Sequence, residues 1–155
     1  RAWGCEVTAF TSSASKRDEA LALGAHRTAS SVDVKELKSL AGSLDFLLIT
    51  VGAALEWDAL IGTLAPKGRM HLVGVVTEAM KLKTGGLLSW QRSLSASPTP
   101  SPTTLTTMME FAVRHGIAPQ VEHFPMSQVN AALDHLRANK ARYRIVLDAD
   151  FDAAT

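Results

Sequence analysis

From Thr11 to Arg17 the chain reads Thr-Ser-Ser-Ala-Ser-Lys-Arg, four hydroxyls and two cations within seven residues. Hydroxyls donate hydrogen bonds and cations pair with oxyanions, so such a cluster could hold a phosphate. Its neighbours say where it sits. The preceding "CEVTAF", Cys5 to Phe10, reads as a short buried strand. The following "KRDEALAL" reads as a helix closed by Gly24, with Ser15 as N-cap and Asp18 completing a capping box. A helix N-terminus carries roughly half a positive charge, so Lys16 and Arg17 sit there unfavourably unless an anion joins them. Strand end, hydroxyl-rich loop and helix start together make a phosphate cradle. On the segment alone, a solvated helix start with two badly placed cations is the other reading.

Strand polarity sharpens the first reading. In a dinucleotide-binding sheet the end of the second strand meets the adenosine ribose, where a carboxylate selects NAD and basic residues accommodate the 2′-phosphate of NADP. Here Thr11, Ser12 and Ser13 follow the strand, with no carboxylate before Asp18. A sheet of that type would prefer NADP.

The remaining elements fit such a sheet. "LDFLLITVG", Leu44 to Gly52, is an apolar run ended by glycine, as expected of a strand covered on both faces. "EWDALIGTLA" reads as a helix, Pro66-Lys67-Gly68 as a turn, and "RMHLVGVV" as the next buried strand. Before Leu44, "HRTASS" reads as a short strand after the first helix, and "VDVKELKSLAG" as a weaker helix closed by Gly42. Alternation of strand and helix over short links implies βαβ units and an α/β, Rossmann-like parallel sheet with helices on both faces. After Val76 comes an irregular connection, then a strand in "QRSLSAS" and a proline-rich loop, "PTPSPTT". Thr104 or a neighbour starts the helix "LTTMMEFAVRH", and the chain closes as strand, Ser127-capped helix, strand.

Composition removes whole classes. With 155 residues, 46% apolar and a formal net charge of +1, the chain suits one domain with a core. It has no electrostatic footprint for nucleic acid or a membrane surface. No apolar run approaches the roughly 20 residues that span a bilayer. The lone Cys5 excludes an internal disulfide and a multi-cysteine zinc site, and suits a reduced, cytoplasmic setting. His26, His71, His115, His123 and His135 are scattered without a paired spacing, so they read as structural or surface histidines rather than zinc ligands. "SLSAS" lacks the G-x-S-x-G elbow of a hydrolase. Trp90, beside Leu87 and Leu88, reads as packing, with a substrate-channel lining as the alternative.

"EVTAFTSSASKRDEALALGA", "LDFLLITVG", "GRMHLVGV" and "RYRIVLD" together resemble the zinc-dependent medium-chain alcohol dehydrogenases, in the cinnamyl-alcohol-dehydrogenase-like branch of NADP-preferring aldehyde reductases. The resemblance runs along essentially the whole chain. It implies that the zinc-binding domain and the strand with the G-x-G-x-x-G loop lie upstream, since neither motif occurs in this sequence. The chain would be a carboxy-terminal portion: residues 1–118 a partial nucleotide-binding domain, residues 119–155 a segment packing on the catalytic domain. By the same resemblance Thr11, Ser12, Ser13, Lys16 and Arg17 would surround the 2′-phosphate of NADP. Thr50 and Val51 would lie along the nicotinamide ribose, and Val73, Gly74 and Val75 would border the nicotinamide. Ala96 and Ser97 end the strand that meets its twin across a dimer and would approach the carboxamide, with Ala96 standing where the family has glycine. Arg144 would approach the pyrophosphate.

The resemblance thus implies hydride transfer between NADP(H) and a small alcohol or aldehyde in the whole enzyme, with little activity in this chain alone. No catalytic residue and no metal ligand falls in this sequence. The other readings are a nucleotide-binding module without chemistry and a structural remnant that self-associates. A homodimer or strand-swapped oligomer is expected, because a sheet lacking its first strand exposes a raw edge.

Overall fold

The computed structural model describes residues 1–151. They form two compact units, one spanning Arg1–Pro100 and a second beginning at Ser101. In the first, β1 (Thr8–Thr11), α1 (Arg17–Ala22), β2 (Arg27–Ser30), α2 (Val34–Ser39), β3 (Leu44–Ile49), α3 (Trp57–Thr63), β4 (Leu64–Leu72), α4 (Gly85–Leu88) and β5 (Ser93–Ala96) follow in order. Each strand pair is parallel, as connections through helices require. The strands form two sheets, β1–β2 and β3–β4–β5. This is the Rossmann-like α/β fold expected from the sequence. β1 and β3 each keep an edge that no described strand pairs.

One core holds the unit together. Leu37 of α2, Trp57, Leu60 and Ile61 of α3, Leu47 and Ile49 of β3, and Leu64 and Met70 of β4 form a buried cluster. Phe10 of β1 and Leu72 of β4 pack against the same cluster. β3 departs from the expectation of cover on both faces. Leu47 and Ile49 point into the core, while Phe46 and Leu48 remain 54% and 49% exposed. Its apolar run is therefore read out with the period of two of a half-covered strand.

Two local readings also change. Ser15 does not cap α1: a 3-10 turn, Ala14–Lys16, comes first, and no side chain caps the helix that follows. Ser15 Oγ instead lies 2.7 Å from Ser13 Oγ. Asp18 and Glu19 occupy the first turn of α1, so carboxylates answer the dipole beside the two cations. The Pro66-Lys67-Gly68 turn is a kink inside β4, with Lys67 at φ 63°, where the register against β3 shifts.

The second unit contains α5 (Pro102–Arg114), β6 (Val121–Pro125), α6 (Val129–Arg137) and β7 (Arg144–Asp148), with β6 parallel to β7. α5 starts earlier than expected, because Ser101 Oγ accepts from Thr104 N and Pro102 is tolerated in the first turn. Ser127 does not cap α6; its hydroxyl and amide both donate to Asp150, holding that carboxyl below its usual range. His135 reaches Glu122 at 2.7 Å and ties α6 to β6.

Candidate functional site

The site is built from two strand-end regions of the first unit. At the end of β1, Thr11 Oγ1 accepts from the Ser13 amide at 3.1 Å, which curls the loop back on the strand. Ser12 and Lys16 are exposed, and Ser13 and Arg17 are half-buried. The structure separates the two cations. Arg17 Nη2 donates to both oxygens of Glu36 on α2, at 2.7 and 2.9 Å. That contact, followed by the Ser30 amide, holds the Glu36 carboxyl below its usual range. Lys16 makes no ion pair among the described residues. Glu36 was not singled out in the sequence, because its partner lies 19 residues away on another helix.

The second region is the carboxyl edge of β3–β4–β5. The register aligns Ile49, Leu72 and Ala96, so Thr50, Val73 and Ser97 leave the sheet side by side. Val73 N donates to Ile49 O at 3.0 Å and Ser97 N to Leu72 O at 3.2 Å, extending both ladders past the last strand residues. Beyond them the loops touch backbone to backbone. A Cβ on Gly74 would stand 2.7 Å from Val51 O, and a Cβ on Gly52 would stand 2.5 Å from Val75 O. Each glycine is thus required by the other loop's carbonyl, and neither needs a positive φ. The shared signal was visible as Thr-Val-Gly after β3 and Val-Gly after β4, though Gly52 was not counted as a site residue. Val51, Val73 and Val75 are exposed and form an apolar rim.

On the outward face of the same edge, His71 of β4 bridges Ser95 of β5 and Ser97 just beyond its end. Its Nδ1 lies 2.8 Å from Ser95 Oγ and its Nε2 lies 2.9 Å from Ser97 Oγ. Phe46 of β3 stacks on the ring at 6.1 Å.

Two further candidates are Arg144 and Trp90. Arg144 opens β7 of the second unit and is exposed. Trp90 packs against Gly42, where a Cβ would meet its ring at 3.1 Å, and lies under the Arg92 guanidinium. It lines a cavity of about 280 Å³ with Pro66, Lys67, Ser89 and Gln91, at the amino end of β5 and away from the carboxyl edge. Among the described residues no group of three His, Cys, Asp or Glu side chains could hold a metal ion. None of the described helices is long and apolar enough to cross a membrane.

Parallel strands joined through helices define a Rossmann-like nucleotide-binding class of fold. The chain belongs to the zinc-binding dehydrogenase family, whose model matches residues 1–114. It is 52% identical over 147 residues to the aldehyde reductase AdhA of Synechocystis, covering 95% of this chain and 44% of that protein. Cinnamyl alcohol dehydrogenase SbCAD4 from Sorghum bicolor matches with a TM-score of 0.88 at 32% identity, over 99% of this chain and 44% of that one. The CAD from Helicobacter pylori, solved complexed with NADP(H), matches with a TM-score of 0.77 at 25% identity, over 95% of this chain and 42% of that one. These matches bear out the cinnamyl-alcohol-dehydrogenase-like resemblance. The chain spans less than half the length of each.

Proposed function

We propose that this chain is the cofactor-binding portion of an NADP-dependent alcohol or aldehyde oxidoreductase. The observation that carries the reading is the end of β1. There Lys16, without an ion partner among the described residues, stands beside hydroxyls, while the nearby carboxylate of Glu36 is spent on Arg17 and the Ser30 amide. Lys16 pairs with the 2′-phosphate, Ser12 and Ser13 donate to its oxygens, and Glu36 holds Arg17 at the same strand end. A carboxylate placed to select the 2′-hydroxyl of NAD is what such a site must lack.

The carboxyl edge takes the other end of the cofactor. Thr50 and Val51 flank the ribose, and the rim of Val51, Val73 and Val75 offers an apolar surface to a flat ring and keeps water from it. Gly74 lets the loop backbone approach, and Ala96 and Ser97 close the edge. Such a cofactor supplies hydride exchange with a small alcohol or aldehyde. The support is the fit of these residues together with relatives that include an aldehyde reductase and a CAD complexed with NADP(H). On this reading residues 119–155 pack on the zinc-bearing part of the enzyme, which works in a reduced, cytoplasmic setting.

Amide-shift mapping of the labelled chain with NADPH tests the reading. Shifts are expected at residues 11–17, 50–52, 73–75 and 96–97. Shifts confined to the cavity beside Trp90 would contradict it. The unpaired edges of β1 and β3 favour a second property, self-association as a dimer or swapped oligomer. Light scattering is expected to show more than one chain per particle, and a monodisperse monomer would refute it.

A further inference from the structure

His71 stands out from the other histidines because both ring nitrogens are committed to hydroxyls, Ser95 of the neighbouring strand and Ser97 just beyond it. Cross-strand side-chain contacts ordinarily stabilise a sheet, and a single serine opposite the ring would serve that purpose. Here the second contact falls past the strand, on Ser97, an exposed residue of the carboxyl edge. The amide of Ser97 is fixed as well, by Leu72 O. Its hydroxyl therefore has a defined position and direction. Phe46 stacked on the imidazole restrains the ring from the β3 side.

A serine hydroxyl has one donor and two acceptor lone pairs. If Nε2 carries the proton, it donates to Ser97 Oγ and one lone pair remains. If Nδ1 carries the proton, Ser97 donates to Nε2 and both lone pairs remain. In either tautomer an accepting lone pair of Ser97 is left at the edge of the sheet. We infer that His71 is a positioning residue that presents Ser97 Oγ as the acceptor for the carboxamide N–H of a bound nicotinamide. The inference rests on the reading of this edge as the nicotinamide end. It assigns to a side-chain pair the discrimination of a carboxamide from groups that lack its N–H.

The test uses the 155-residue chain and three probes: NADPH, its 3-acetylpyridine analogue, in which a methyl replaces the carboxamide nitrogen, and 2′,5′-ADP, which has no nicotinamide. Wild type is expected to bind NADPH about tenfold more tightly than the analogue, the effect of one hydrogen bond whose acceptor, Ser97 Oγ, loses its partner when the N–H is replaced by a methyl. In Ser97→Ala and in His71→Leu that preference falls to about unity. His71→Gln, whose amide reaches the Nε2 position, retains most of it, whereas His71→Asn, which reaches only towards Ser95, does not. Affinity for 2′,5′-ADP stays constant throughout.

A merely structural His71 would weaken NADPH and the analogue equally and leave their ratio unchanged, and that result overturns the inference. So does a wild-type chain that binds 2′,5′-ADP as tightly as NADPH, while the reading of the β1 end survives. Failure to bind any of the three overturns both. Ser97→Ala, at an exposed position, supplies the answer should His71→Leu not fold.

Discussion

The two halves of the candidate site are made from opposite materials. At the end of β1 the elements are held by side chains: Thr11 on the Ser13 amide, and Arg17 on Glu36 across two helices. At the carboxyl edge of β3–β4–β5 they are held by main chain, with two loops meeting carbonyl against glycine. A surface side-chain network is cheap to rearrange and can adapt to a charged ligand. Backbone packed on backbone cannot give way, and it fixes a shape for a rigid ring. Selectivity for a phosphate and shape for an aromatic ring would thus come from strand ends of two different sheets.

The comparison is broken first at the glycines. Gly74→Ala sets a methyl against Val51 O, and overpacking of this kind costs about 1–3 kcal/mol. Urea denaturation should show that loss. Gly62, inside α3 with open space where a Cβ would go, is the control. Gly62→Ala should gain about 0.5–1 kcal/mol from better helix propensity. Equal effects at the two positions would show that the edge is not packed as described.

Lys16→Ala comes next. It should leave stability unchanged and weaken NADPH about tenfold or more, the weight of one charge-assisted hydrogen bond, with NADH unaffected. A loss shared equally by both cofactors would remove Lys16 from the 2′-phosphate.

The smallest effect is that of Glu36. Its carboxyl is depressed in the folded chain, chiefly by the Arg17 hydrogen bond, so its stabilisation is present above the ordinary glutamate range. It is lost as pH falls through the lower folded value. The difference in denaturation midpoint between wild type and Glu36→Gln should therefore shrink as the pH falls below the ordinary glutamate range. A difference independent of pH would show that the pair does not hold α1 to α2.

What the sequence disclosed follows the same divide. The glycine stops and the parallel alternation are local signals that mark the strand ends, and the family resemblance assigned Thr50, Val51, Val73, Gly74 and Val75 there, where the register aligns the ends of β3 and β4. Contacts between distant residues were not legible. Arg17 finds Glu36 at a separation of 19 residues, and His71 finds Ser95 and Ser97 at 24 and 26. Those pairings depend on how α2 approaches α1 and on the β4–β5 register, which no short motif encodes. The half-exposed face of β3 was misread for a related reason: an apolar run does not say how many of its faces this chain itself covers.

The claim that joins these observations is that the end of β1 selects a 2′-phosphate. Titration of the purified chain with NADPH and with NADH, followed by tryptophan fluorescence, addresses it directly. The account predicts saturable binding of NADPH that is at least tenfold tighter than that of NADH, about the weight of one charge-assisted contact. Equal affinities, or a preference for NADH, would contradict it.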